Sequence, residues 1–205
     1  QRVILFVGRV EPLKGIDTLL RAMALVVRRR PEWEDELSVS IVGGNPHLPA
    51  DQMDAEMARL HDLRAELGIS HMVAFRGASA QDILPCYYSA AELVVVPSHY
   101  ESFGMVALEA MACGVPVIAS KVGGLAFTVQ DGVTGFHVPY RDHEALADRI
   151  ESILSDAELQ ARLGRQAAAW AGQYEWARIA EQILTLYRQV QGPAAWTREA
   201  TTSAG

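Results

Sequence analysis

The sequence predicts a doubly wound parallel α/β sheet, and three features indicate that fold. Short, β-branched apolar segments alternate with segments in which apolar residues recur at helical spacing. That alternation is typical of parallel strands joined by right-handed helical crossovers. Glycines and polar residues follow most of the apolar segments, at the strand ends where such sheets bind ligands. The chain has 205 residues, 50% of them hydrophobic, which suffices for a well-buried core.

The predicted strands are short and strongly apolar. From the amino end they are 2–7, 37–42, 72–75, 93–96, 115–119 and 136–138. Because the carboxyl ends of parallel strands meet at one edge of a sheet, the loops after these strands should converge there. Chemically important residues in those loops are therefore expected to lie close together.

Helices are predicted between and after the strands. Their ranges are 16–30, 51–67, 80–90, 105–112, 146–154, a segment after residue 155, and 176–190. Asp142 is expected to cap the helix 146–154, and Ser155 with Glu158 to form a capping box for the next helix. We expect one domain over 1–191 and a flexible tail over 192–205.

Composition argues against several classes of partner. The net charge of −7, from 25 acidic and 18 basic residues, disfavours nucleic acid, which selects basic surfaces. The sequence contains neither an apolar run of membrane-spanning length nor a visible signal peptide. Cys86 and Cys113 lack metal-site spacing and are expected to be small buried residues in a reducing cytoplasm. The histidines lack helical pairing and no Asp-x-Asp triplet occurs, so we predict no metal and no cofactor.

The segment 98–124 carries the strongest functional signal. Seven residues separate Glu101 from Glu109, and Gly104 lies between them at the start of a predicted helix. A glycine lets backbone approach a ligand closely, and a helix start presents free N–H groups to an anion. Ionised carboxylates accept hydrogen bonds from hydroxyl groups. These properties suit a sugar linked to a nucleoside diphosphate.

Two cations follow the first predicted strand. Arg9 and Lys14 could bind a diphosphate, the arginine as a planar fork and the lysine as a point charge. From spacing alone they are equally well explained as solvated loop cations. Lys14 follows Gly8 by six residues, as in a P-loop. However, Leu13 and Gly15 replace the second glycine and the Ser or Thr of that motif, so the P-loop is rejected.

Several motifs together resemble the retaining glycosyltransferases of family 4. The Glu101–Glu109 spacing is joined, in the order of that family, by motifs at 7–9, 12–15, 42–44, 75–77 and 131–135. The resemblance covers about 3–190 and is closest to the branches of the mycothiol-pathway glycosyltransferase and the sucrose and sucrose-phosphate synthases. It implies a GT-B enzyme of two Rossmann-like domains, of which this chain is the C-terminal, donor-binding half. The start at Gln1, directly before a strand, fits the same expectation.

The resemblance also implies roles for individual residues. Arg9 and Lys14 would contact the donor phosphates and stabilise the leaving nucleotide, and Glu101 would contact the hydroxyls of the donor sugar. These three are the predicted catalytic residues. The predicted donor-binding residues are Gly8, Gly43, Gly44, Arg76, Ser102, Phe103, Gly104, Met105 and Glu109.

Within that set, Glu109 would bond the two ribose hydroxyls, and Arg76 would flank the base. The backbone N–H groups of 103–105 would reach the sugar and the phosphates. Each residue also has a purely structural explanation. Glu101 could be an acid favoured by the helix dipole, Glu109 a helix-surface glutamate, Arg76 a solvated side chain, and the glycines 43–44 a plain turn.

The activity that the resemblance implies is retaining transfer of a sugar from a UDP-sugar, glucose or N-acetylglucosamine, with ADP and GDP left open. The acceptor, a sugar, sugar phosphate or inositol phosphate, would bind through an N-terminal domain. The chain alone is then expected to bind donor and to transfer little or no sugar. Two alternatives are a nucleotide-sugar 2-epimerase, which the Glu-to-Glu spacing disfavours, and a non-catalytic nucleotide-sugar-binding module. The intact set Arg9, Lys14, Glu101 and Glu109 disfavours the second alternative.

Overall fold

The computed structural model describes residues 1–46 and 53–191, and the chain divides into two compact units. The first unit, Gln1–Ala171, contains the sheet and the predicted site residues. The second unit begins at Gly172 and contains the long helix Trp176–Gln191. The predicted domain over 1–191 stays a prediction, and the predicted flexible tail 192–205 lies outside the described residues.

The sheet of the first unit has six strands, and all of its pairings are parallel. The strands are β1 (Arg2–Val7), β2 (Leu37–Val42), β3 (Val73–Gly77), β4 (Leu93–Val96), β5 (Val117–Ser120) and β6 (Gly135–Val138). Their order across the sheet is β3-β2-β1-β4-β5-β6. The chain therefore moves outward from β1 to β3 and then returns to the other side of β1. This topology confirms the predicted parallel α/β sheet.

The helices of the first unit form two groups. They are α1 (Ile16–Arg29), α2 (Ala55–Glu66), α3 (Leu84–Ser89), α4 (Met105–Ala112), α5 (Leu125–Thr128), α6 (His143–Ser155) and α7 (Ala157–Ala171), whereas α8 (Trp176–Gln191) belongs to the second unit. Helix α1 packs against α2 and α6, whereas α4 packs against α3 and α7. Since right-handed crossovers change face when the strand order reverses direction, the two groups cover opposite faces of the sheet. The sheet is thus doubly wound, as predicted.

The core lies between the sheet and these helices. All four residues of β4 are buried, and Ile4 and Leu5 of β1 are fully buried beside them. On α1 the apolar stripe includes Leu19 and Leu20, both fully buried. Each such side chain contributes roughly 1.5–3 kcal/mol on burial, so a rigid sheet supports the loops at its carboxyl edge.

One helix and one strand begin later than predicted because of a proline near the start of each. Helix α3 begins at Leu84 rather than residue 80, with Pro85 in its first turn, where a missing N–H is harmless. Strand β5 begins at Val117 rather than residue 115. Pro116 has no N–H for a strand ladder, and the Val115 N–H donates to the Ala110 carbonyl instead.

Capping was predicted correctly once and incorrectly once. The Asp142 carboxylate accepts the Ala145 N–H at 2.9 Å, which confirms it as the cap of α6. The predicted capping box at Ser155 is wrong, because Ser155 is the last residue of α6. Asp156 takes that place, and its Oδ1 accepts the Leu159 N–H at 2.9 Å. Part of the predicted start of α2, residues 51–52, lies outside the described residues.

Candidate functional site

The loops after β1 and β4 meet at the carboxyl edge of the sheet. Strands β1 and β4 are neighbours, and the His99 N–H donates to the Leu13 carbonyl at 2.8 Å, which joins the two loops. Here the strand order changes direction, which leaves a crevice outside the carboxyl ends of the strands. Open α/β sheets bind ligands in that crevice, so the topology selects this position before any side chain is considered.

A cation and a carboxylate meet in the crevice. Lys14 ends a short 3-10 turn, Pro12–Lys14, in the β1 loop, and Glu101 lies in the β4 loop. The Lys14 Nζ lies 2.7 Å from the Glu101 Oε2, and the two side chains are 20% and 19% exposed. Because both groups are largely shielded from water, each holds the other in place. Lys14 could also donate to phosphate oxygens, and Glu101 could accept from sugar hydroxyls.

Helix α4 starts directly after this pair. Gly104 precedes the helix with a φ of 90°, and its carbonyl accepts the N–H groups of Ala107 and Leu108. A glycine adopts that left-handed backbone without the strain that a Cβ would cause. The start of α4 carries the positive end of the helix dipole, four residues beyond Glu101. An anion near Lys14 would therefore be stabilised from two directions.

The segment that follows β5 forms hydrogen bonds with the backbone of the Glu101 loop. The Gly124 N–H donates to the Glu101 carbonyl at 2.9 Å, and the Thr128 Oγ1 lies 2.6 Å from the Phe103 carbonyl oxygen. A Cβ on Gly124 would lie 2.5 Å from the Phe103 Cα, so only glycine allows this approach. Thr128 lies on the short helix α5, which was not predicted. The Ser102, Phe103 and Met105 side chains are exposed in front of the anchored backbone.

Three of the predicted glycines, Gly8, Gly43 and Gly44, line a separate cavity of about 290 Å³ at the ends of β1 and β2. Its lining comprises Val7, Gly8, Arg9, Val42, Gly43, Gly44, Ala78, Ser79 and Leu84. Gly43 has a φ of 146°, and a Cβ there would overlap the Gly8 carbonyl oxygen. The packing of the loops themselves thus requires glycine at this position, whatever the ligand.

The two predicted arginines lie apart from the Lys14–Glu101 pair. The Arg9 side chain is 77% exposed and its guanidinium contacts the Glu11 carboxylate. Arg76 is exposed near the end of strand β3, one residue before Gly77. Arg9 is thus one of the residues that line the glycine cavity, whereas Arg76 lines neither that cavity nor the one that contains Glu109.

Glu109 lies in a second cavity of about 270 Å³, which shares Leu84 with the first. Its lining comprises Gln81, Leu84, Pro85, Tyr88, Glu109, Ala112 and Cys113. The Tyr88 side chain is buried, and its hydroxyl donates to the Glu109 Oε2 at 2.7 Å. Burial, together with the hydrogen bond to Glu109, raises the pKa of Tyr88 well above its ordinary value of 10.0. The phenol is thus a permanent donor.

Tyr88 was missed in the sequence, although one signal pointed to it. A buried tyrosine needs a partner for its hydroxyl, and Tyr88 stands in a predicted helix before a buried strand. The partner, Glu109, is 21 residues away on another helix. Helical periodicity within one segment could not identify that pairing.

Two negative findings concern the described residues alone. Within residues 1–46 and 53–191, no three His, Cys, Asp or Glu side chains are grouped so that they could hold a metal ion. Over the same part of the chain, every helix is too short or too polar to cross a membrane.

Comparisons with known proteins identify relatives along most of the chain. Residues 1–170 match the family described as "Glycosyl transferases group 1". The D-inositol 3-phosphate glycosyltransferase of Frankia alni is 45% identical over 193 residues, which are 94% of this chain and 46% of that protein. The enzyme of the same name from Thermobispora bispora is 42% identical over 92% of this chain and 43% of its own length.

Solved structures agree with these relatives. Sucrose-phosphate synthase from Thermosynechococcus elongatus superposes with a TM-score of 0.80 at 41% identity, covering 93% of this chain and 46% of that one. Anabaena HepE, solved in complex with UDP, gives a TM-score of 0.80 at 30% identity over 91% of this chain and 48% of its own. This chain therefore spans about half the length of the proteins it matches. By the family match and by these identities, the chain belongs to the group 1 glycosyltransferases.

Proposed function

We propose that this chain is the donor-binding domain of a retaining glycosyltransferase that uses a UDP-sugar, with glucose or N-acetylglucosamine as the sugar. Support comes from Anabaena HepE, whose structures are described as complexes with UDP and with UDP-glucose. The family match gives the 2-epimerase alternative no support.

The observation that carries the proposal is the contact between the Lys14 Nζ and the Glu101 Oε2 at 2.7 Å. It places a group suited to phosphate beside a group suited to sugar hydroxyls, at the start of α4. A nucleoside diphosphate sugar has those two chemistries joined by one bond. The cavities lined by Gly43 and Glu109 provide space for the nucleoside on the same edge of the sheet.

The proposed reaction uses these groups. The bond between the anomeric carbon and the β-phosphate oxygen breaks, and the bonding electrons leave with UDP. A bond forms from an acceptor hydroxyl oxygen to the same face of the anomeric carbon, and the acceptor proton passes to the departing phosphate oxygen. Arg9, Lys14 and the start of α4 stabilise the negative charge that develops on the phosphate. The protein supplies no nucleophile in this scheme, and it needs no metal or other cofactor.

The acceptor is proposed to bind through another domain. Relatives named for D-inositol 3-phosphate and for sucrose phosphate suggest a phosphorylated polyol or sugar as its chemical class. This chain covers only 46% of the Frankia relative. We therefore expect the chain by itself to bind donor without transferring sugar. Sustained turnover of UDP-glucose with inositol phosphate by this chain alone would contradict that expectation.

The first test is isothermal titration of the chain with UDP, ADP and GDP, repeated on Lys14→Ala and Glu109→Ala. We expect selective binding of UDP, weakened about tenfold or more by each change, because each removes a charge-assisted hydrogen bond. Arg28→Ala and Glu66→Ala are matched controls, since both side chains are exposed near the far ends of α1 and α2.

A second titration separates the sugar from the nucleotide. Glu101→Gln keeps the size of the side chain and an oxygen that can accept from Lys14. It should weaken UDP-glucose binding by about fivefold while leaving UDP binding nearly unchanged, since UDP lacks the sugar. Failure of all three nucleotides to bind would overturn the donor-site proposal. A longer protein that binds UDP-glucose and never transfers the sugar would favour the non-catalytic module.

A further inference from the structure

Tyr88 and Glu109 form a hydrogen-bonded pair that has no role in the reaction proposed above. Tyr88 is 1% exposed, near the end of α3, and Glu109 is half-buried on α4. The hydroxyl of the tyrosine and the Oε2 of the glutamate are 2.7 Å apart on the wall of the cavity of about 270 Å³. No other hydrogen bond of the Tyr88 side chain is present in the part of the chain that the structure describes.

The chemistry of the pair is directional. An ionised carboxylate only accepts hydrogen bonds, and a phenol that stays protonated donates one. With Oε2 engaged by Tyr88, the carboxylate cannot rotate freely, and the remaining acceptor positions on Oε1 and Oε2 point in fixed directions. A pair of neighbouring hydroxyls, such as those of a ribose, needs two acceptor positions held at a fixed separation.

We propose that Tyr88 is a positioning residue that orients the Glu109 carboxylate toward the ribose hydroxyls of the donor, and so lets the site distinguish ribonucleotides from deoxyribonucleotides. The inference rests on the proposed donor site, and it adds the residue that makes Glu109 selective. Tyr88 itself does not contact the donor. Tyr88 acts by fixing the orientation of the Glu109 side chain. Its own ring is buried in the wall of the cavity.

The alternative is that Tyr88 only fills space. Its ring contributes burial whatever the hydroxyl does, and a purely structural role would change the binding of every nucleotide equally. The ratio of affinities for UDP and 2′-deoxyuridine diphosphate therefore separates the two explanations. A change in packing or stability moves both dissociation constants alike, whereas loss of orientation weakens UDP binding more than binding of the deoxy nucleotide, which has only the 3′-hydroxyl to lose.

The test measures both constants by titration for the wild-type chain, Tyr88→Phe, Glu109→Gln and the double variant. We expect the wild-type chain to prefer UDP about tenfold, and Tyr88→Phe to prefer it about threefold or less. In the Glu109→Gln background, Tyr88→Phe should have no further effect on the ratio, because the two residues act as one unit. Tyr87→Phe, a half-buried neighbour on the same helix, is the matched control and should keep the wild-type ratio.

Two substitutions keep the test valid if the phenylalanine variant does not fold. Placing 4-methylphenylalanine at position 88 preserves the shape of the side chain without a donor and should lower the ratio. Placing 4-aminophenylalanine there restores an N–H donor and should recover it. UDP binding by the wild-type chain with an unchanged ratio in Tyr88→Phe would overturn this inference alone. Failure of the wild-type chain to bind UDP would overturn the proposed function as well.

Discussion

At the scale of single residues, the groups with predicted chemistry are held by partners far away in sequence. Lys14 contacts Glu101, and Glu109 contacts Tyr88, in both cases across two different loops or helices. Arg9 is the exception, since its guanidinium contacts Glu11 in the same loop. Bridging partners fix the geometry of a site before its ligand arrives, which lowers the entropy lost on binding.

Cys113 provides a chemical probe of the cavity that contains Glu109. Burial raises the pKa of the Cys113 thiol above its ordinary value of 9.0, so its thiolate fraction at pH 8 is small and rises with pH. In a Cys86→Ser variant, we expect iodoacetamide to label Cys113 slowly at pH 8, and saturating UDP to slow the labelling by about tenfold or more. Mass spectrometry of the intact chain measures both rates.

The reciprocal variant supplies the control for this prediction. In Cys113→Ser only Cys86 remains. The prediction that Cys86 is buried was wrong: it is exposed, and it lies outside the lining of that cavity. Its labelling should be faster and indifferent to UDP. Equal protection of both cysteines by UDP would indicate a general effect on the fold rather than occupation of the cavity.

At the scale of elements, the sequence predicted the strands better than the loops between them. Continuous apolar segments such as Leu93–Val96 are unambiguous because burial on both faces leaves one choice of residue type. Helix α5 was not predicted because its four residues are too few to show the helical periodicity of apolar residues. The predicted convergence of the loops follows from parallel topology, whereas the pairing of Tyr88 with Glu109 depends on rotamers and packing between two helices.

The β5 loop packs against the Glu101 loop, and Gly124 is one of its close contacts. A Cβ at residue 124 would press on the Ser102 carbonyl and the Phe103 backbone, which cannot give way as a flexible side chain could. We expect Gly124→Ala to lower the free energy of unfolding by about 1–3 kcal/mol, as overpacking does, and to weaken UDP-glucose binding. Urea unfolding and titration measure the two effects.

Gly172→Ala is the comparison for this prediction. The nearest atom to a Cβ there is the Glu175 Oε1 at 3.9 Å, so the extra methyl group has room. The variant should unfold within about 0.5 kcal/mol of the wild-type chain. If Gly124→Ala and Gly172→Ala had equal unfolding free energies, the β5 loop and the Glu101 loop would not pack as closely as described.

At the scale of the whole molecule, stability should depend on pH through two half-buried histidines, His61 and His99. Burial, with the nearby Arg64, lowers the pKa of His61 below its ordinary value of 6.5, and burial, with Arg141, does the same for His99. In the unfolded chain both groups return to the ordinary value and bind protons at a higher pH than in the folded chain. The unfolding free energy is therefore fully retained above about pH 6.5 and falls as the pH drops toward the folded pKa values.

Urea unfolding between pH 7.5 and pH 5 checks this dependence. His61→Gln should make the dependence shallower, because one of the two lowered groups is removed. The substitution also removes the stacking of His61 on Phe75, with ring centroids 4.6 Å apart, so the variant should be less stable at every pH. If the unfolding free energy of His61→Gln depended on pH as steeply as that of the wild-type chain, the lowered pKa of His61 would not contribute to the pH dependence.

The Lys14–Glu101 contact has a consequence for the order in which the protein assembles during synthesis. The two residues are separated by 87 positions, and β4 must insert beside β1 before they can meet. Strands β1, β2 and β3 lie within residues 2–77, which are synthesised before β4, and they can pair with one another without it. A nascent chain stopped after β3 would lack Tyr88, Glu101 and Glu109, and with them both of the contacts described at the scale of single residues. The Lys14–Glu101 contact can therefore form only in a chain whose central strand β1 has paired with β4 as well as with β2.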